Sequence, residues 1–229
     1  MTGKSDSWGK GNLGLDRTAF VRHHPSELMM RALFAGRYSG VKLDIGPDTR
    51  VLDMGAMYLN NLVPFHDRGA QCFGVEINDD MAAISREAAD IQGLSVDVRT
   101  GSNRAIPHED GVFDVVLGLN VIHYEDDTVG LRAALAEYAR VTRPGGLAFV
   151  ISAGPRHYLR ANAERLGPNR YRITDGDFRT GQVMAYFDSL DDLSVLALEA
   201  FDSVTPGRSL EEHADAEIEF YYAIAMKAG

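Results

Sequence analysis

The sequence predicts an α/β protein built on a doubly wound parallel sheet, and three observations predict it. Apolar runs that read as buried strands alternate with amphipathic helical stretches four times between Arg50 and Ser152. The first run, Val51-Leu52, leaves through the turn Asp53-Met54-Gly55, where a glycine without Cβ lets backbone approach a ligand. The second, Gln71-Cys72-Phe73-Gly74-Val75-Glu76, ends on a carboxylate 23 residues after Asp53. Open α/β sheets place there the acid that accepts hydrogen bonds from a ribose hydroxyl. The three together predict an adenosine-containing cofactor at the carboxyl edge of the sheet.

Length and composition narrow the class. The 229 residues suit one α/β domain with an appended lid, and 45% hydrophobic content suffices for a core. No apolar run reaches the length of a membrane helix and the polar N-terminus has no signal-type core, so the reading is cytoplasmic, with no membrane partner. A net charge of −10 argues against a nucleic-acid partner. The single cysteine, Cys72, reads as a small buried hydrophobe on a strand, and the scattered histidines show no metal-ligand spacing, so no metal is expected.

In chain order, Met1 to His24 reads as an arm, and Ser26 caps a helix carrying Leu28, Met29, Ala32 and Leu33. After Gly55 a long loop leads to a helix that tolerates Pro64 only in its first turn. Asn78 caps a helix with Met81, Ile84, Ala88 and Ile91 on one face. Leu94 to Arg99 and Val112 to Leu119 read as strands. Leu131, Leu135, Tyr138 and Val141 then mark a helix, capped by Asp126 or Asp127 and ended by Arg143-Pro144-Gly145-Gly146. Leu147 to Ser152 is a fifth strand. Gly154 to Tyr186 breaks the rhythm and reads as an insertion over the active-site edge. Leu190 to Ala200 returns to helix, and Phe201 to Val204 and Ile218 to Met226 to strands.

Four segments carry a family resemblance: Val51-Leu52-Asp53-Met54-Gly55, Gly74-Val75-Glu76-Ile77, Phe113-Asp114-Val115-Val116 and Arg140-Val141-Thr142-Arg143-Pro144-Gly145-Gly146. In this order and spacing the chain resembles the class I S-adenosylmethionine (SAM) methyltransferases. The resemblance implies a doubly wound, seven-stranded, mostly parallel sheet with helices on both faces and a final antiparallel strand. Residues 50–229 would form that core, with 154–186 as a substrate-lid insertion and 1–49 as an arm and helix covering the cofactor site. It also implies SAM as cofactor and S-adenosylhomocysteine as product. Asp53, Gly55, Ala56 and Asn60 would then serve the methionine side of SAM, and Glu76 the ribose hydroxyls. Ile77 would lie against adenine, Ser102 and Asn103 at its amino group, and Asn120 near the sulfonium. One departure stands out. Met57 and Leu59 occupy two of the three glycine positions of the family's D-x-G-x-G-x-G loop. Either the loop takes another path, with Asn60 or Asn61 supplying polar contacts, or SAM binding is weakened or lost.

Methyl transfer needs acceptor, methyl and sulfur held in line, and an oxygen acceptor also needs a base. His123, at the end of the fourth strand, is the leading candidate base, with Tyr124 and Glu125 as positioning groups. Six arginines against three acids between Arg156 and Arg179 suggest an anionic small-molecule substrate, for which Arg156, His157, Tyr158, Arg179 and, from the N-terminal side, Tyr38 are candidate contacts. Trp8 is placed with Tyr38 over the cofactor. The reading is therefore a methyltransferase for a small polar or anionic metabolite, oxygen acceptor favoured. Its alternative is a non-catalytic, methyltransferase-like binding or regulatory domain, and it leaves room for a homodimer.

Overall fold

The computed structural model describes residues 24–37, 39–175 and 178–229. Trp8, Tyr38 and most of the arm lie outside the described residues. Ser26 caps α1 (Glu27–Met29), its hydroxyl accepting from the Met29 N–H at 3.3 Å, and the chain runs on into a π-helical turn, Met30–Phe34.

The central strands are β1 (Arg50–Met54), β2 (Gln71–Glu76), β3 (Val96–Thr100), β4 (Phe113–Leu119) and β5 (Thr142–Ala153), all parallel to one another. A final pair, β9 (Ser203–Glu212) and β10 (Glu217–Met226), completes a seven-stranded sheet of order β3-β2-β1-β4-β5-β10-β9, with β10 antiparallel to both neighbours. This is the predicted doubly wound sheet.

Side chains alternate across it with the period of two that strands impose. Val51, Val115, Leu117, Phe149 and Ile151 face one side, over α1, α2 (Val63–His66) and α3 (Asp79–Gln92). Leu52, Met54, Val116, Ala148 and Val150 face the other, under α4 (Thr128–Val141) and α6 (Leu190–Leu198). The caps fall where the residues predict. Asn78 accepts from the Met81 N–H at 2.9 Å, Asp127 from the Gly130 N–H at 3.0 Å, and Pro64 sits in the first turn of α2.

Three segments differ from the sequence expectation. Helix α4 stops at Val141 and β5 begins at once, because Thr142 already pairs with Phe113; Arg143 to Gly146 form a bulge before Val115 pairs with Leu147. Strand β9 runs to Glu212, although Pro206 and Gly207 interrupt its apolar pattern. Among the described residues it is an edge strand paired only with β10, so a proline costs it no ladder bond on the open side. The region from Gly154 to Tyr186 resolves into α5 (Tyr158–Ala161) and a separate antiparallel sheet of β6 (Ala163–Gly167), β7 (Arg170–Ile173) and β8 (Val183–Ala185). Its apolar face, Tyr171, Ile173, Met184 and Tyr186, packs with Ala153 and Tyr124.

Candidate functional site

The sheet's strand order reverses between β1 and β4, and α/β sheets open a crevice at such a switch point, beyond the carboxyl ends of the strands. A cavity of about 270 Å³ lies there. Its walls come from the end of β1 and its turn (Met54, Gly55, Met57), the end of β2 (Val75, Glu76, Ile77), the residues after β3 (Gly101, Ser102, Asn103) and the end of β4 (Leu119, Asn120, Val121), with Met81, Tyr124 and Arg179. Eight of the expected site residues, Gly55, Glu76, Ile77, Ser102, Asn103, Asn120, Tyr124 and Arg179, are therefore brought together. Asp53, Ala56, Asn60, His123, Glu125, Arg156, His157 and Tyr158 are not on its wall.

The loop after β1 answers the question its glycine replacements raise. Gly55 has φ +65°, and a Cβ there would stand 2.5 Å from Val121 Cγ1. Met57 and Leu59 have φ +46° and +65°. Backbone of that hand strains any L-residue. The loop thus keeps left-handed backbone at the three glycine positions of the motif, with two of them strained. Leu59 is fully buried in the core, and Met57 and Tyr58 pack against Met81, Ile84 and Ala88 and leave the cavity open. Asn61, off the wall, accepts from the Ser26 N–H at 3.0 Å and ties the loop to α1.

Two buried carboxyls lie at the root of this loop, and one of them, Glu76, holds it. Glu76 Oε1 accepts from the Met57 N–H at 2.6 Å and from the Ser85 hydroxyl at 3.4 Å. Burial raises the Glu76 carboxyl above its ordinary range, and these bonds, with the Ile77 N–H, pull back. Asp53 is 1% exposed, immediately ahead of the wall residues Met54 and Gly55 in the chain, and among the described residues neither of its oxygens meets a hydrogen-bond donor. Burial first and Glu76 second push it up to about 8, and the nearby Asn61 amide offsets only part of that.

Among the residues expected at the adenine amino group, Asn103 is occupied by the fold. Its Oδ1 accepts from the Tyr138 hydroxyl at 2.7 Å, and its Nδ2 donates to Val121 O at 3.1 Å and to Glu125 at 3.3 Å. With both amide hydrogens spent, Ser102 is the better polar contact for a ligand. Glu125 is buried and pairs with Arg104 at 3.1 Å, a joint of the loop rather than a wall of the cavity.

At the other end a 3₁₀ turn, Ile122–Tyr124, follows β4. Tyr124 reaches the wall, where its hydroxyl accepts from Arg179 Nε at 2.8 Å. His123 lies behind it, 4% exposed, with ring centroids 5.0 Å from Tyr124 and 5.3 Å from Tyr186, and Nδ1 3.5 Å from Ser152 Oγ. The expected arginine surplus of the insert is largely neutralised within the fold. Arg156 pairs with Glu212 and Glu217 on the β9–β10 hairpin, Arg160 and Arg165 with Asp188, and Arg172 with Glu164. Of the arginines named from the insert, Arg179 alone lines the cavity. His157 caps α5, its Nδ1 accepting from the Leu159 N–H at 3.2 Å. Burial, and then the charge of Arg179, lower it to about 4, and it stacks on the half-exposed Tyr158 at 4.7 Å.

Sequence reasoning missed Met54, Val75, Met81, Gly101, Leu119 and Val121 as wall residues. Most sit at or within two residues of a strand's carboxyl end, so the strand boundaries were the available signal.

The residues fit an adenosyl cofactor: a cavity at the switch point, a loop of the right hand, a buried carboxylate at the end of β2 and an apolar platform in Ile77. The comparisons agree. Residues 52–150 match the methyltransferase domain family, and the chain has the class I, Rossmann-like fold seen in solved SAM-dependent methyltransferases. An uncharacterized protein of Mycobacterium tuberculosis strain H37Rv is 33% identical over 108 residues, 47% of this chain and 38% of that protein. A demethylmenaquinone methyltransferase of Corynebacterium efficiens is 32% identical over 108 residues, 46% of this chain and 42% of that enzyme. The match thus spans about two fifths of the length of these relatives. A SAM-dependent methyltransferase from Methanosarcina mazei superposes with a TM-score of 0.63 over 81% of this chain and 95% of that one, at 16% identity, and so shares the fold.

Proposed function

We propose that the protein transfers a methyl group from SAM to a small-molecule acceptor, oxygen favoured. The observation that carries the reading is the open cavity at the switch point, walled by Glu76, Ile77 and a left-handed loop that Glu76 itself holds through the Met57 N–H. When bound, SAM supplies a sulfonium methyl that an acceptor displaces in line. Glu76 accepts hydrogen bonds from the ribose hydroxyls, Ile77 lies against adenine, Ser102 reaches its amino edge, and Asn120 and Gly55 border the methionine side.

The acceptor side is Tyr124 and Arg179. Arg179 steadies the tyrosine hydroxyl and recognises an anionic or hydroxylated head group, while Met54, Leu119 and Val121 take an apolar body. A demethylmenaquinone methyltransferase among the relatives favours such an amphiphilic acceptor. Tyr124 would position the acceptor hydroxyl, and His123, packed behind it, would serve as the base that takes the acceptor's proton through that tyrosine. The insert 154–186 serves as the substrate lid. A pocket filled by Met57 and Tyr58 would favour the alternative of a non-catalytic domain, and both pack against α3 with the cavity left open.

Calorimetric titration with SAM, S-adenosylhomocysteine and NAD tests the reading. Micromolar binding of the first two without NAD is expected, followed by label transfer from methyl-labelled SAM to a panel of hydroxylated and anionic acceptors. Absence of SAM binding sinks it.

A further inference from the structure

Asp53 stands out among the buried groups. It is 1% exposed and both carboxyl oxygens lack a hydrogen-bond donor among the described residues. The groups that bear on it are Glu76 at the end of β2, the Asn61 amide from the loop before α2, Cys72 on β2 and Tyr138 on α4. One of those is a carboxylic acid, two are weak acids, and none is a cation. A bare carboxylate in such a place is costly, and it is relieved by protonation or by an arriving positive charge. SAM brings two, its sulfonium and its ammonium, to a cavity whose Met54–Gly55 wall directly follows Asp53 in the chain.

Resting on the proposed function, we propose that Asp53 holds a proton in the ligand-free protein and gives it up as the cationic cofactor enters, so that SAM binding is linked to proton release. The neutral carboxyl fits the apolar surroundings of the empty site, and the ionised one complements the cation in the loaded site. Burial and Glu76 set the ligand-free group at about 8, so at pH 7 about nine tenths of the molecules carry the proton. SAM affinity should then rise about tenfold per pH unit between pH 6 and 7, where the α-amino group of the ligand stays charged and does not contribute.

The test is titration of the full chain with SAM at pH 7 in buffers of differing ionisation enthalpy. More than half a proton released per SAM is expected, with release at least halved in Asp53→Asn. Binding with less than half a proton released, or release undiminished in the variant, overturns the inference while leaving the methyltransferase reading intact. Absence of SAM binding in every buffer defeats both. Infrared spectra of the ligand-free protein need no variant that binds SAM: a buried carboxylic-acid band should be present at pH 7 and vanish above pH 9. Its absence at pH 7 overturns the inference.

Discussion

Glycine substitutions at Met57 and Leu59 should have opposite characters, because the two residues carry the same backbone strain but different packing. Each has a left-handed φ, which costs an L-residue about 1–2 kcal/mol. Glycine returns that cost and loses about 0.4–1 kcal/mol to the greater freedom of the unfolded chain, leaving a backbone gain of about 0.5–1 kcal/mol at either site. Leu59 is fully buried in the core under β1, and removing such a side chain costs about 2–5 kcal/mol. Met57 is half-buried on the cavity wall and packs against the α3 cluster, a loss of about 1 kcal/mol. Met57→Gly should therefore stay within about 1 kcal/mol of wild type and Leu59→Gly should lose about 2–4 kcal/mol, read as urea-unfolding midpoints at unchanged slope. A Leu59→Gly protein as stable as wild type would refute the claim that packing holds a strained side chain in a glycine position. The Met57 N–H to Glu76 bond survives either change, so SAM affinity of Met57→Gly should be kept.

Three further outcomes follow from the same geometry. Glu76→Ala should weaken SAM binding by about 1.5–3 kcal/mol, since charge-assisted bonds to the ribose are lost; unchanged affinity in calorimetry would remove Glu76 from the site. Asp53 titrates at about 8 in the folded chain against 3.8 unfolded, so its contribution to stability is full below pH 3.8 and is lost as pH rises through 8. Asp53→Asn should accordingly stabilise the protein more at pH 8 than at pH 5, by a margin of at least about 1 kcal/mol in urea unfolding; an equal effect at both pH values would show an ordinary carboxylate. Burial, and then Asp53, push the Cys72 thiol up to about 12, so at pH 8 a thiol reagent should label it only as fast as the protein opens; rapid labelling of native protein would place it at the surface.

The sheet was legible because a parallel strand buried on both faces is written as a short, mostly apolar run, and β1, β2, β4 and β5 each carry one. Edge strand β9 does not: six of its ten residues are exposed, so its pattern fades after Val204 while its pairing continues to Glu212. The insert was illegible for a different reason. Three of its arginines, Arg156, Arg160 and Arg165, find their carboxylates outside it, at Asp188 after β8 and at Glu212 and Glu217 on the β9–β10 hairpin, and a local charge count cannot see partners 23 to 61 residues away.

The cofactor half of the site could be read from strand ends, whereas the acceptor half depended on which way one residue turns. A strand ends on a predictable edge, so Glu76 and Asn120 reach the cavity whatever the following loop does. His123 and Tyr124 sit in a 3₁₀ turn, where three residues complete a revolution and neighbours point about 120° apart. Adjacent residues there cannot share one direction. Tyr124 takes the wall beside Arg179, and His123 is turned in against Ser152 and Tyr186. A base assignment to His123 is therefore one that acts through Tyr124, and Tyr124→Phe should depress turnover as His123→Ala does, with SAM affinity unchanged in both. Independent, multiplicative losses in the double variant would separate the two residues and return His123 to the role of a packing group.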